Sequence, residues 1–110
     1  MSLLGKLIGA FAGTEQELPA NAILIDVRSS GEYQAGYIAG AVSLPLGEVG
    51  ERIHSVVPDK DASVIVYCQS GARSASAKNI LANMGYTNVA NGGGVGSLAL
   101  RLTKRQIGRA

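Results

Sequence analysis

Two continuous runs of mostly apolar, branched residues constrain the fold of this chain most strongly. They are Ala22 to Val27, reading AILIDV, and Val64 to Tyr67, reading VIVY. A half-exposed strand alternates apolar and polar residues, whereas a continuous run of this kind is typical of a strand buried on both faces. With 110 residues, the chain is long enough for one ordinary domain built around one such core.

The segments around these runs indicate short helices and further short strands. Ser29 to Gly36 has the signature of a helix start, because Ser29 can cap the first turn and Glu32 can complete a capping box. The other predicted elements are a short strand at Ala41 to Leu44, a helix at Gly47 to Val56 and a short strand around Val89 and Ala90. This βαβα order predicts an α/β fold, a parallel β-sheet with helices on both faces. We interpret the glycines at 92 to 94 as a tight turn.

The N-terminal residues have a pattern of their own, which we consider separately from the domain. Leu3 to Phe11 carries an apolar stripe at helical spacing, so we divide the chain into an N-terminal amphipathic segment, 1–16, and a domain, 17–110. A helix that docks on the domain is favoured over an interfacial anchor or a signal peptide ending at Ala10-Phe11-Ala12. We therefore expect a cytoplasmic protein without a membrane span, and a periplasmic one if the segment is a signal.

Charge and cysteine content narrow the function. All eight acidic residues lie at or before Asp61, so the C-terminal half is strongly positive although the net charge is only +2. Such asymmetry is compatible with nucleic-acid binding, but no aromatic platform interleaves these bases, so attraction of a small anion is an equally good interpretation and charge alone does not decide. With the other features of the sequence, we expect no nucleic-acid partner. One cysteine and one histidine exclude a His/Cys metal site of standard ligand count, and we expect no metal and no cofactor.

That cysteine, Cys68, stands where the VIVY strand ends, the edge at which open α/β sheets usually bind ligands. The loop after it precedes a predicted helix at Ser74 to Met84, which Gly85 ends. Gly71 permits the left-handed backbone with which a short loop can turn its N–H groups inward. Such a loop would hold an anion on the sulfur and lower the pKa of the thiol, which is about 8.5 when free. The sequence therefore favours a reactive cysteine over an inert core residue.

These residues resemble a known family. The segment Cys68 to Ser74 is similar to the C-x-x-G-x-R-S loop of single-domain rhodaneses. Upstream segments resemble the family's other motifs in the right order, and the resemblance covers about Ala22 to Leu100. They are Ile25 to Arg28, Glu32-Tyr33, Gly36 to Ala41 and Leu44 to Leu46. Tyr37 stands where the family often has histidine, Ala39 replaces a common proline, and no tryptophan follows the glycines. These departures concern the pocket rim and the choice of acceptor.

The resemblance implies a sulfurtransferase of the thiosulfate:cyanide type. Cys68 would be the catalytic nucleophile and would carry sulfur as a persulfide, and its loop would bind the substrate. The predicted substrate-binding residues are Gln69, Ser70, Gly71, Ala72 and Arg73. The expected partners are a small anionic sulfur donor and an acceptor that is cyanide or a thiol, including a protein thiol; the oligomeric state is left open. Arg73 has a second interpretation, a clamp that pairs with an acid, and Arg28 is expected to form a structural ion pair.

Two other functions are compatible with such a loop. A sulfur relay would hand the persulfide to one specific protein instead of a small molecule, and it needs the same cysteine. A phosphatase would also place a cysteine and an arginine at a helix N-terminus. Phosphatases, however, have five residues between them, whereas Cys68 and Arg73 have four. The shorter loop favours a sulfur atom over a phosphoryl group.

Overall fold

The computed structural model describes residues 18–19 and 21–109, with side chains described up to 102. The predicted N-terminal helix and its alternatives lie outside these residues. In chain order the elements are β1 (Ile23–Asp26), α1 (Ser30–Ala35), β2 (Val42–Ser43), a 3₁₀ turn (Leu46–Glu48), α2 (Val49–Val56), β3 (Val64–Cys68), α3 (Ala72–Asn83), β4 (Val89–Gly94) and α4 (Val95–Arg109).

The strands form one parallel sheet in the order β2-β1-β3-β4. The two apolar runs pair with each other at its centre, from Ile23 beside Val64 to Asp26 beside Tyr67. Every residue of β3 is buried, as expected of a strand covered on both faces. Within the described residues, no helix is long and apolar enough to cross a membrane.

Alternate residues of β3 point into two separate cores. Val64, Val66 and Cys68 pack with residues of α2 and α3, including Ile53 and Leu81. Ile65 and Tyr67 pack on the other side, against Leu98 of α4 and Tyr33 of α1. Helices therefore cover both faces of a parallel sheet, which confirms the predicted fold class.

The prediction of a tight turn at the glycines is wrong. Residues 92–94 continue β4, and the register between β3 and β4 shifts between Val66 and Tyr67. Gly92 is buried, and a Cβ atom there would lie 2.8 Å from a methyl of Ile65 and 2.9 Å from one of Leu98. Glycine is therefore required here by close packing in a strand. Helix α4 follows directly and was not predicted.

Helix α3 begins two residues earlier than predicted, at Ala72, with Gly71 as its N-cap. Gly71 has a φ of 104°, the left-handed conformation expected for it. The predicted capping box of α1 is present, since the Ser29 side chain accepts from the Glu32 N–H and the Glu32 side chain accepts from the Ser29 N–H. These two caps fix the starts of the helices that flank the cysteine loop.

Candidate active site

Cys68 ends the central strand and is fully buried in the core below α3. Its Sγ atom accepts a hydrogen bond from the Gly71 N–H at 2.9 Å and one from the Ser74 N–H at 3.4 Å. The Ser74 hydroxyl oxygen lies 3.5 Å from the same sulfur. The loop thus directs polar groups at the sulfur from the start of α3.

These contacts change the acidity of the thiol. Burial raises the pKa of Cys68, because a charged sulfur is poorly solvated in the core. Hydrogen bonds from the Ser74 side chain and from the N–H groups of Ser74, Gly71 and Ser70 lower the pKa, and together they outweigh burial. The pKa of Cys68 therefore lies below its ordinary value, which increases the thiolate population near neutral pH.

The end of β4 supports the loop from the side. A Cβ atom on Gly71 would lie 3.5 Å from the Cα of Gly93. A Cβ atom on Gly94 would lie only 2.7 Å from the Gln69 carbonyl oxygen. The glycine-rich strand therefore lets the loop approach the sheet closely, and this contact determines where the loop's N–H groups are placed.

Arg28 ties the loop to the neighbouring strand. Its guanidinium donates to both carboxylate oxygens of Asp26, with Nη2 at 2.7 Å from Oδ2, and both side chains are buried. It also donates to the Gly36 carbonyl at 2.7 Å and to Gln69 Oε1 at 3.2 Å. Arg28 forms the expected structural ion pair, and through Gln69 it braces the first residue of the loop.

Arg73 reaches across to α1 and forms two hydrogen bonds with Glu32. Its Nη1 and Nη2 donate to the two carboxylate oxygens at 2.7 and 3.0 Å. This contact, with the Ser29 backbone N–H, lowers the pKa of Glu32 to about 2. Arg73 therefore has the acid-paired geometry of the clamp interpretation, and its side chain is still 39% exposed beside the loop.

Of the predicted loop residues, Gly71 and Ser70 direct backbone N–H groups at the sulfur. Gln69, Ser70 and Ala72 are exposed, whereas Gly71 and Arg73 are partly buried. Two further residues of the site were not in the predicted set, Ser74 and Asn91. Ser74 is part of the C-x-x-G-x-R-S motif, which is a usable signal. Asn91 lies in the glycine-rich strand, and nothing in the local sequence marks it.

Comparisons with known proteins agree with this geometry. The rhodanese-like domain model matches residues 13–94. The thiosulfate sulfurtransferase PspE of Escherichia coli is 49% identical over 80 residues, which cover 73% of this chain and 77% of that protein. A putative mitochondrial thiosulfate sulfurtransferase of Schizosaccharomyces pombe is 35% identical over 82 residues, and the chain spans only 56% of its length.

A solved structure described as a rhodanese with anions from E. coli is 49% identical, with a TM-score of 0.69. The match covers 71% of this chain and 92% of that one. The matched range of the family model includes the cysteine loop and the strands that hold it. The chain thus belongs to the rhodanese-like family.

Proposed function

We propose that this chain moves a sulfane sulfur from thiosulfate, or another anionic donor, to a thiophilic acceptor through a persulfide on Cys68. The observation that carries the proposal is the convergence of the Gly71 and Ser74 N–H groups on Sγ, with the Ser74 hydroxyl beside them. The sulfurtransferase relatives support this class of reaction. An arrangement of donors around one sulfur suits a nucleophile that is negatively charged before and after it reacts.

In the first step, the Cys68 thiolate attacks the outer sulfur of thiosulfate. A new S–S bond forms, the S–S bond of thiosulfate breaks, and sulfite leaves with the bonding electron pair. The negative charge then lies on the outer sulfur of the persulfide, near the turned-in N–H groups of the loop. Because Cys68 is fully buried, the donor can reach the sulfur only after a local movement of the residues around it.

In the second step, the acceptor attacks the outer sulfur and the Cys68 thiolate leaves. Cyanide as acceptor gives thiocyanate, and a thiol as acceptor becomes a persulfide. The two steps share one covalent intermediate, so double-displacement kinetics are expected. No histidine base is needed, since the hydrogen bonds to Sγ already favour the thiolate.

Arg73 has two compatible roles in this scheme. Its contact with Glu32 holds the start of α3 against α1 and so braces the loop. Its partly exposed guanidinium also leaves positive charge near the mouth of the loop, where an anionic donor would arrive. We assign it to donor attraction and loop bracing rather than to the chemical step.

The test is thiosulfate-dependent formation of thiocyanate with cyanide as acceptor, run beside intact mass measurement of the protein. We expect turnover, a gain of one sulfur atom after thiosulfate alone, and loss of both in Cys68→Ser. Ser76→Ala, an exposed change on the same helix, is the matched control and should keep both signals.

Each other outcome has a defined meaning. A mass gain without thiocyanate would point to a relay that requires a protein thiol as acceptor. Full turnover in Cys68→Ser would disprove the persulfide on Cys68. Hydrolysis of a phosphate ester, with neither sulfur signal, would replace the proposal with a phosphatase.

A further inference from the structure

The Ser74 hydroxyl has one proton and three acceptors within reach. Its oxygen lies 2.6 Å from Asn91 Oδ1, 3.0 Å from the Gly71 carbonyl oxygen and 3.5 Å from Cys68 Sγ. A hydroxyl donates a single hydrogen bond, so only one of these atoms receives it at a time. The acceptor that takes the proton decides whether Ser74 stabilises a charged sulfur.

The orientation of the Asn91 amide decides the competition. Its Oδ1 accepts from the Gly93 N–H at 2.9 Å, and its Nδ2 donates to the Gly71 carbonyl at 3.4 Å. If the amide were flipped, its NH₂ group would face the Gly93 N–H, and its oxygen would face the Gly71 carbonyl oxygen. Neither contact is a hydrogen bond, which disfavours the flip. An acceptor oxygen therefore faces Ser74, and an O···O contact of 2.6 Å requires the Ser74 proton between the two atoms.

We propose that Asn91 is a positioning residue that holds the Ser74 hydroxyl proton away from Cys68 Sγ and releases it to the sulfur only when Cys68 is a thiolate. The inference rests on the proposed function. In a thiol, Sγ can donate its own hydrogen to Ser74 Oγ, and in a persulfide the charge lies on the outer sulfur. In both states the Ser74 proton stays with Asn91.

Asn91 then changes the equilibrium between the enzyme with a free Cys68 thiolate and the enzyme with a persulfide on Cys68. To stabilise the thiolate, the hydroxyl has to rotate away from Asn91, which leaves two oxygens facing each other at short distance. The thiolate is therefore less stabilised than the other contacts alone would make it. A less stabilised thiolate is a stronger nucleophile and a poorer leaving group, so Asn91 favours the form that carries sulfur.

The charged groups around Cys68 lie on other elements. Arg73 of α3 interacts with the thiolate charge and is paired with Glu32 of α1. The Arg28–Asp26 pair lies beside β1 and contacts Gln69 of the loop. Ser74 and Asn91 are both uncharged, so replacing them changes the hydrogen bonds at Sγ while these charges remain in place.

The test is the pH dependence of alkylation of the only cysteine by iodoacetamide, in the wild type, Asn91→Leu, Ser74→Ala and the double variant. Leu has nearly the shape of Asn but offers no acceptor, so Ser74 is free to donate to the thiolate. We expect the midpoint of the alkylation rate against pH to move to lower pH in Asn91→Leu. Alkylation at acidic pH should be about two- to fourfold faster than in the wild type. The larger thiolate fraction raises the rate, and the weaker nucleophilicity of a thiolate with a lower pKa offsets part of this gain.

The Ser74→Ala background separates positioning from general loop support. If Asn91 acts through the hydroxyl, adding Asn91→Leu to Ser74→Ala should leave the midpoint unchanged. An unchanged midpoint in the single variant, or the same change in both backgrounds, would overturn the proposal. Asn91→Ala, in the same two backgrounds, replaces Asn91→Leu if the latter does not fold by circular dichroism.

The readout does not depend on sulfur transfer. Alkylation, or the ultraviolet absorbance of the thiolate, reports the state of Cys68 whether or not thiosulfate is a substrate. Absence of both thiocyanate and the sulfur mass gain, with a normal Asn91→Leu effect, would therefore reject the proposed function alone. Sulfur transfer without the Asn91→Leu effect would reject only the role of Asn91.

Discussion

At the scale of single residues, the Glu32 carboxylate serves two parts of the site at once. It accepts from the Ser29 backbone N–H at 2.9 Å, which caps α1, and from the Arg73 guanidinium, which braces the loop. Its pKa of about 2 means that it stays charged throughout the neutral and mildly acidic range. Because this pKa is lowered on folding, the interaction stabilises the fold above the ordinary carboxyl pKa and is lost as the pH falls through about 2.

Replacing Arg73 should release this carboxylate. In Arg73→Gln we expect the Glu32 midpoint to rise from about 2 toward the ordinary value, as measured by the carboxyl carbon shift in an NMR pH titration. Arg52→Gln is the matched control, because Arg52 of α2 pairs with Glu48 of the 3₁₀ turn. An Arg73 variant with an unchanged Glu32 midpoint would show that the clamp does not form in solution.

Local sequence predicted the candidate nucleophile and its loop but not the contacts that hold them. Cys68, Gly71 and Arg73 lie within one short segment, so their spacing carries the chemistry. The partners Glu32 and Asn91 lie 41 and 17 positions from the residues they contact, Arg73 and Ser74. Only the sheet order, which places β4 next to β3, and the packing of α1 bring these residues to the site.

At the scale of elements, the contact between β4 and the cysteine loop leaves no room for a side chain. A Cβ atom on Gly94 would lie 2.7 Å from the Gln69 carbonyl oxygen, a backbone atom that can move only with the loop. Gly94→Ala should therefore displace the N–H groups around Sγ and slow persulfide formation by about tenfold to a hundredfold. The rate is measured by rapid mixing with thiosulfate, quenching at set times and intact mass measurement.

Gly96→Ala provides the comparison, because a Cβ atom on Gly96 would meet nothing within 4 Å. This change on α4 should leave the rate unaltered and raise the melting temperature slightly, since alanine favours a helix over glycine by about 1 kcal/mol. Equal rates in both variants would mean that the loop position does not limit the reaction.

The elements themselves were predictable to different degrees. The strands of branched residues and the capped helix α1 carry their signal in adjacent positions, and the structure confirms them within a few residues. Strand β4 has no such signal at Gly92 to Gly94, because glycines have no side chains to alternate. Gly93 and Gly94 pair with Tyr67 and Cys68, and Gly92 lies at the register shift just before them, a contact that no local pattern reports.

At the scale of the whole molecule, the candidate nucleophile is also part of the core. Cys68 is buried with Ile25, Val66 and Leu81 in the cluster under α2 and α3. Its thiol pKa is lower in the folded chain than in the unfolded chain, where it is about 8.5. Ionisation of the active-site sulfur is therefore linked to global stability.

The sign of this linkage predicts that the folded chain gains stability as the pH rises. The contribution of Cys68 to the free energy of unfolding is complete above the ordinary thiol pKa. It is lost as the pH falls through the lowered pKa of Cys68 in the folded chain. Urea unfolding under reducing conditions should show a free energy that increases across this window. Cys68→Ala should remove that increase; parallel pH profiles for the two proteins would contradict the lowered pKa.

The two crowded glycines of β4 also predict different evolutionary constraints. Gly92 lies against Ile65 and Leu98 of the core, whereas Gly94 lies against the backbone of the cysteine loop. In a library of random variants, selection for folding alone should retain Gly92. Retention of Gly94 should require selection for sulfur transfer, so the difference between the two enrichment profiles would map the boundary between scaffold and active site within a single strand.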